Sequence, residues 1–161
     1  MTPQFHHERY VTIIKLHSQT LLTLGKMLTQ TEASTWRDGG TGWTVLEVLG
    51  HLLEYDGIFL ARVKAMLEED NPVFQRYDHE QLAIEHAYND QPLHDVLAKL
   101  SVSRAEMTAF FEQLDEVQLS RTGVHPEYGP YTVMRSIAQV AAHDANHIEQ
   151  ITRIMLEKKV S

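Results

Sequence analysis

The segment VMRSIAQVAAHDANHIEQITRIM, residues 133–155, carries the clearest structural signal in the chain. Its apolar residues recur every three or four positions, which is the spacing that lines one face of an α-helix. The pattern predicts a long amphipathic helix from Thr132 to about Lys158. The stripe on its buried face is Val133, Ile137, Val140, Asp144, Ile148, Ile151 and Met155.

Three further segments show the same periodicity, and no strand pattern competes with them. Helices are predicted for residues 7–31, 44–69 and 92–114. The second begins at Thr44, where Thr44 and Glu47 have the spacing of a capping box. Four long helices with one apolar stripe each bury those stripes most simply in an all-α four-helix bundle.

The connections are of two kinds. About twenty residues, 71–91, separate the second helix from the third, whereas links between antiparallel neighbours usually take about 2–8 residues. Such a link is long enough to cross the whole bundle, which would leave the second and third helices parallel. A loop that contains Gly and Pro, residues 123–130, leads into the last helix.

Composition limits the classes of function. The chain has 161 residues, of which 43% are hydrophobic and 22% charged, as in ordinary globular proteins. We therefore treat residues 1–161 as a single domain. The formal net charge of −8 argues against a nucleic-acid partner, because binding phosphates requires clustered Lys and Arg.

Three absences bear on the environment of the protein. There is no cysteine, so neither disulfides nor thiolate metal ligands are available. The N-terminal residues lack the pattern of a secretory signal peptide, and no run of about 18 apolar residues suggests a membrane span. We expect a cytoplasmic protein that does not associate with membranes.

Histidine is the most informative residue type, since there are ten in the chain. His143 and His147 are four residues apart and project from one face of the predicted helix, about one turn apart. His51 flanks the apolar stripe of the second helix in the same way. If these flanks face each other, three neutral imidazoles converge and leave a coordination position open, as in catalytic metal sites. The spacing alone also fits half-buried polar residues without a metal.

Other polar residues allow alternative interpretations. Asp56 and Asp144 project toward the core stripes, where buried carboxylates need partners. We favour cross-helix hydrogen bonding over a role in orienting a histidine. Trp43 either packs as a hydrophobic staple or roofs a pocket, and His17 is a candidate pocket group. The remaining histidines are predicted at the surface: His6, His7, His79, His86, His94 and His125.

Two motifs resemble those of the DinB/YfiT-like superfamily of metal-dependent enzymes. The sequence WTVLEVLGHL, residues 43–52, resembles its helix-two signature, and HDANHIEQI, residues 143–151, resembles its helix-four signature. Both occur in the expected order and on the expected helices. The likeness extends over nearly the whole chain, including the long crossover.

The resemblance implies an up-down-down-up four-helix bundle with a long crossover between helices 2 and 3, in a protein that is often a homodimer. It further implies that His51, His143 and His147 bind a divalent ion, commonly zinc or nickel, with an open position facing a pocket. Activities known in the superfamily include thiol S-transfer with bacillithiol or mycothiol, isomerisation and amide-type hydrolysis.

Two hypotheses of function follow. The first is a divalent-metal-dependent enzyme that acts on a small molecule, either as a hydrolase or as a low-molecular-weight-thiol S-transferase. The second is a non-catalytic helical binding or dimerisation module that keeps the histidines as a vestigial or structural cluster. No residue in the sequence identifies the substrate.

Overall fold

Seven α-helices and one β-hairpin form the part of the chain that the computed structural model describes, residues 3–160. The residues outside the described range are Met1, Thr2 and Ser161. The single-domain prediction includes all three, and the signal-peptide argument includes the first two. The elements are α1 (Pro3–Lys26), α2 (Gln30–Thr35), α3 (Val45–Glu68), α4 (His79–Glu85), α5 (Leu93–Glu112), α6 (Glu116–Ser120), β1 (Thr122–His125), β2 (Gly129–Thr132) and α7 (Val133–Val160).

The four long helices α1, α3, α5 and α7 form the bundle. Helices α1 and α3 each pack against both α5 and α7, so the order around the bundle is α1, α5, α3, α7. The beginning of α1 meets the end of α5, where His7 Nε2 lies 2.8 Å from the carbonyl oxygen of Phe111. Helices α3 and α5 run parallel, with Lys64 Nζ 5.6 Å from the Phe110 ring centroid near the end of both. The fold is the predicted up-down-down-up bundle.

Because α3 and α5 are parallel, the chain must return along α3 between Glu69 and Pro92. The length of this link predicts such a crossover. Tyr88 packs on Gly50 of α3, where an added Cβ atom would lie 2.5 Å from Tyr88 Cγ. Glycine at this position therefore permits the close approach that anchors the end of the crossover. The crossing segment includes α4 and lies over the seam between α3 and α7.

The first predicted helix is wrong at its C-terminal end. Helix α1 ends at Lys26, and a separate helix follows where the pattern predicts continuation to Thr31. The Thr29 hydroxyl accepts a hydrogen bond from the Glu32 amide, and the Glu32 carboxylate accepts one from the Thr29 amide. This capping box starts α2 as a new helix after a short turn.

The hairpin before α7 contradicts the expectation of an irregular loop. Strands β1 and β2 are antiparallel and pair Gly123 with Tyr131. The crossover supports them, since the Phe74 amide donates to the Val124 carbonyl at 2.9 Å. Two strands of four residues carry little periodic signal, and such a short pair depends on tertiary contacts. The sequence pattern alone therefore misses it.

The core consists of two apolar clusters, one toward each end of the bundle. All four long helices contribute to both clusters. No helix within residues 3–160 combines the length and apolar character needed to cross a membrane. Representative fully buried residues are Ile14, Val63, Met107 and Ile137 in the first cluster, and Leu21, Leu49, Leu100 and Ile151 in the second.

A layer of three buried charged side chains separates the two clusters, and none of them exposes more than 2% of its surface. Arg104 of α5 donates from Nη1 and Nη2 to the two carboxylate oxygens of Asp144, at 2.5 and 2.7 Å. Its Nε lies 2.9 Å from Asp56 Oδ2. The predicted cross-helix hydrogen bonding is observed for Asp144, whereas Asp56 forms an ion pair with Arg104 and its Oδ2 has no hydrogen-bond partner among the described residues. Their shared partner Arg104 is absent from the sequence-based prediction.

Candidate metal centre

Three histidine side chains converge where α3 and α7 pack together. His51 lies in the second turn of α3, and His143 and His147 lie on consecutive turns of α7. The Nε2 atom of His143 is 3.0 Å from that of His51 and 3.2 Å from that of His147. Ligand atoms of all three lie within 4.8 Å of one another. The structure therefore brings together the three histidines that the sequence singles out.

The protonation states of these histidines suit metal binding. Burial, together with the smaller effect of the neighbouring imidazoles, lowers the pKa of His51 to about 3 and that of His143 to about 2. Burial also lowers the pKa of His147, against the opposing effect of its hydrogen bond to Gln150. All three rings are therefore neutral near pH 7, which is the form that donates a lone pair to a metal ion.

The spacing of the nitrogens provides a test of fit. Imidazole nitrogens bind zinc at about 2.0–2.1 Å, which places two ligands of a tetrahedral site about 3.3 Å apart and two adjacent ligands of an octahedral site about 2.9 Å apart. The two Nε2 separations of 3.0 and 3.2 Å fall within this range. The donor set, three neutral imidazoles with no thiolate, is one that zinc and nickel accept.

A chain of hydrogen bonds orients one of the three rings. His147 Nδ1 lies 2.9 Å from Gln150 Oε1, so the ring carries its proton on Nδ1 and leaves the Nε2 lone pair for the cluster. Gln150 in turn donates to Asp38 at 3.0 Å. Arg153 also donates to Asp38 and lowers the pKa of that carboxyl, although burial opposes this effect. Asp38 and Arg153 thereby fix the orientation of the Gln150 amide.

We expect Gln150→Leu to weaken metal affinity by about 10–100-fold, because the ring of His147 loses the acceptor that fixes its tautomer. The measurement is competition for zinc against a chelating dye. Gln139→Leu is the matched control, since Gln139 lines the same cavity but forms no hydrogen bond to the three histidines among residues 3–160. Equal affinities of the two variants would show that the hydrogen bond to His147 does not support the site.

The histidines open into a cavity of about 520 Å³, a size typical of small-molecule sites. Trp43 lies edge-on to His51 with ring centroids 5.0 Å apart, and its Nε1 donates to Glu80 at 3.2 Å. Trp43 therefore belongs to the cavity wall, as the pocket-roof interpretation predicts, and it also packs against the second apolar cluster. Tyr55 stacks on His143 with centroids 5.4 Å apart and forms the floor next to the cluster.

Two histidines predicted at the surface belong to this cavity. His79 is exposed, but it stands at the cavity mouth with its ring centroid 6.3 Å from that of His51. His125 is only 8% exposed and lines the opposite end. His79 begins the short helix α4 of the crossover, and His125 ends strand β1 of the hairpin. Sequence spacing therefore gives no indication of their position.

The predictions for His7 and His17 are wrong, whereas the surface prediction for His79 is confirmed. His7 is 1% exposed because its ring packs against the end of α5, with Nε2 near the Phe111 carbonyl. His17 does not line the cavity, and its Nδ1 is buried without a hydrogen-bond partner. The other predicted surface histidines are half-buried or exposed: His6, His86 and His94.

Several functional neighbours are missed by sequence reasoning. Gln150 had a usable signal, because it follows His147 by three residues and so lies on the same helix face. Arg62 and Tyr55 share the helix face of His51, but only the tertiary structure shows that this face lines a cavity. Asp38 lies in a Gly-containing turn with no motif, so no sequence feature indicates its role.

The chain is similar in sequence to known proteins. The sequence profile of the DinB superfamily matches residues 14–151. A protein of Oceanobacillus iheyensis named "putative metal-dependent hydrolase" is 28% identical over 147 residues, covering 91% of this chain and 77% of the relative. YfiT of Bacillus subtilis, which has the same description, is 24% identical over 149 residues, covering 91% of this chain and 83% of YfiT.

Solved structures show the same fold. The structure of YfiT, described as a probable metal-dependent hydrolase with an unusual four-helix bundle topology, matches with a TM-score of 0.86 at 23% identity. The match covers 95% of this chain and 87% of YfiT. A mycothiol-dependent maleylpyruvate isomerase matches with a TM-score of 0.73 at 14% identity, over 90% of this chain and 60% of the isomerase. With the profile match over residues 14–151, these observations show that the chain belongs to the DinB superfamily.

Proposed function

We propose that this protein is a divalent-metal-dependent hydrolase of a small molecule, with His51, His143 and His147 as the metal ligands. The observation that carries the proposal is the convergence of three neutral imidazoles at one end of a cavity, with Nε2 separations of 3.0 and 3.2 Å. Zinc or nickel suits this donor set. The description of two relatives as metal-dependent hydrolases supports the same assignment.

A divalent ion at this site supplies Lewis-acid chemistry, which activates water as a nucleophile near neutral pH and polarises an acyl oxygen. The side chains of the protein provide the conditions for that chemistry. Gln150 holds His147 in the tautomer that carries its proton on Nδ1 and leaves the Nε2 lone pair free for the metal. Trp43 and Tyr55 cover the cluster from two sides and limit the access of bulk water. The cavity leaves room for a substrate beside the three rings.

Thiol S-transfer is the second candidate, and the size of the cavity favours it. About 520 Å³ exceeds what a small acyl compound and one water need, and it can accommodate a low-molecular-weight thiol such as bacillithiol beside an electrophile. The same three histidines serve this reaction, because a thiol is nucleophilic as its thiolate. A non-catalytic binding module remains the alternative to both reactions.

Metal analysis of protein purified without a histidine tag or chelating resin tests the proposal. We expect close to one divalent ion per chain after loading with zinc or nickel. The loaded protein is then incubated with ester, amide and electrophilic substrates, with and without bacillithiol. Turnover without the thiol supports hydrolysis, and turnover that depends on the thiol supports transfer. Failure to take up zinc, nickel or manganese under any loading condition refutes both, as does metal uptake without turnover in either arm.

A further inference from the structure

The cavity extends along α3 well beyond the three histidines. His51, Tyr55 and Arg62 all line it, and the first and last of these are eleven residues apart, a rise of about 16 Å along an α-helix. Tyr77 of the crossover and His125 of the hairpin close the end where Arg62 lies. A molecule that reaches from the histidines to this far end therefore meets a second, chemically different group.

Neutral groups hold the Arg62 side chain in place. Its Nη1 lies 3.2 Å from His125 Nε2, and its Nη2 donates to the Gln75 carbonyl at 3.2 Å. The guanidinium carbon is 5.5 and 5.7 Å from the ring centroids of Phe74 and Tyr77, within the range of cation–π attraction. These contacts fix the position of the cation but supply no negative charge.

Arg62 lacks a counter-ion in the part of the chain that the structure describes. None of the ion pairs among residues 3–160 includes Arg62. Its Nε is buried without a hydrogen-bond partner. Burial lowers the pKa of the guanidinium, and the opposing effect of three tyrosines and of Glu127 is smaller. By contrast Arg76, the other guanidinium of the cavity wall, pairs with Glu127 at 3.5 Å. A half-buried cation with unused donors is costly unless an anion binds beside it.

The charges around the cavity favour a carboxylate over a phosphate. Its lining contains two guanidinium groups and three carboxylates: Arg62, Arg76, Asp38, Glu80 and Glu127. A carboxylate carries one charge and matches the fork of a single guanidinium through two parallel hydrogen bonds. A phosphate monoester carries about −1.5 to −2 at pH 7, and the excess of acidic groups would repel it more strongly.

We propose that Arg62, positioned by His125, is a carboxylate-binding subsite, and that the substrate is an elongated small molecule with a carboxylate at one end. The carboxylate pairs with Arg62 while the reacting group lies at the three histidines. Tyr55 and Phe59 line the cavity between the two ends, so the middle of the molecule is apolar. The assignment of the reacting end depends on the proposed function, whereas the carboxylate subsite depends only on the surroundings of Arg62.

Calorimetric titration of zinc-loaded protein with 4-phenylbutyrate and with its uncharged amide tests the subsite. We expect the carboxylate to bind at least about tenfold more tightly than the amide, the effect of one charge-assisted bidentate pair. Arg62→Gln should weaken binding of the carboxylate by about tenfold or more and leave binding of the amide unchanged. Arg76→Gln is the matched control, since Arg76 is already paired, and it should change binding of the carboxylate by less than about twofold.

Several results would overturn the subsite. The first is no detectable binding of the carboxylate, and the second is equal binding of the carboxylate and the amide. The third is binding of the carboxylate by Arg62→Gln with wild-type affinity. The fourth is Arg62-dependent binding of 3-phenylpropyl phosphate that is tighter than binding of 4-phenylbutyrate. A carboxylate that binds the metal directly would keep its affinity in Arg62→Gln and lose it in metal-free protein, which also overturns the subsite. Arg62-dependent binding in a protein that takes up no metal would refute the proposed function alone. Metal uptake without preference for the carboxylate would refute the subsite alone.

Discussion

Arg104→Met is expected to lower the free energy of unfolding by about 3–5 kcal/mol at pH 7, which is the usual cost of removing one partner from a buried ion pair. Arg104 contacts both Asp144 and Asp56 within a layer that is at most 2% exposed. Without the guanidinium, two carboxyl groups remain buried between the apolar clusters and must take up protons. Urea denaturation followed by circular dichroism measures the loss, and the loss should shrink as the pH falls and both carboxyls become neutral.

Asp56→Asn is the matched control for Arg104→Met. It removes one of the two negative charges, keeps an oxygen at the position 2.9 Å from Arg104 Nε, and leaves the bidentate contact with Asp144 intact. We expect this variant to lose about 1 kcal/mol or less at pH 7, within the range of a single hydrogen bond. Equal losses in the two variants would show that packing, rather than charge balance, explains the effect of Arg104.

The free energy of unfolding of wild type and of Asp56→Asn, measured as a function of pH, checks the sign of the electrostatic argument. Burial raises the pKa of Asp56 from 3.8 to about 7, although Arg104 acts in the opposite direction. Between about pH 4 and 7 the folded state therefore holds a proton that the unfolded chain has released, so the contribution of Asp56 to stability falls as the pH rises. The lowered pKa values of the three clustered histidines have the opposite effect. The histidines affect both proteins equally. The difference in unfolding free energy between wild type and Asp56→Asn at each pH therefore isolates the contribution of Asp56.

The fold was predictable from sequence wherever one helix face is apolar over many turns. The stripe from Val133 to Met155 and the box of Thr44 with Glu47 predict their helices well, because local periodicity and capping decide both. The hairpin and α2 were not predictable in the same way. The hairpin depends on the crossover that packs against it, and α2 depends on a second capping box within one apolar pattern.

The same distinction between local periodicity and tertiary contacts applies to the candidate site. His51, His143 and His147 lie on regular helices, so their spacing and faces could be deduced before their distances were known. Arg104 lies on the apolar stripe of α5 between Leu100 and Met107. Only the tertiary structure shows that it pairs there with Asp56 and Asp144. The far end of the cavity comes from the crossover and the hairpin, which lack periodicity. Sequence patterns thus locate the three clustered histidines, and the tertiary structure defines the cavity into which they open.

His143→Ala is expected to abolish metal binding almost completely, from about one ion per chain to less than about a tenth. His143 is the central member of the cluster, because its Nε2 lies 3.0 Å from that of His51 and 3.2 Å from that of His147. Its loss leaves two imidazoles on different helices without the nitrogen between them. Zinc at 100 times its dissociation constant stabilises a binding protein by about 2.7 kcal/mol, and this stabilisation should disappear in the variant.

His79→Ala separates a true ligand from a neighbour, since His79 faces the same cavity with its ring centroid 6.3 Å from that of His51. We expect this control to keep both the bound ion and the zinc-dependent rise in melting temperature. Two readouts are needed because truncating His143, which is half-buried, also changes packing. Only a loss of the zinc-dependent rise in melting temperature reports on the metal. If His143→Ala kept the full rise, the convergence of the three imidazoles would be a packing feature, and the metal-dependent function would lose its basis.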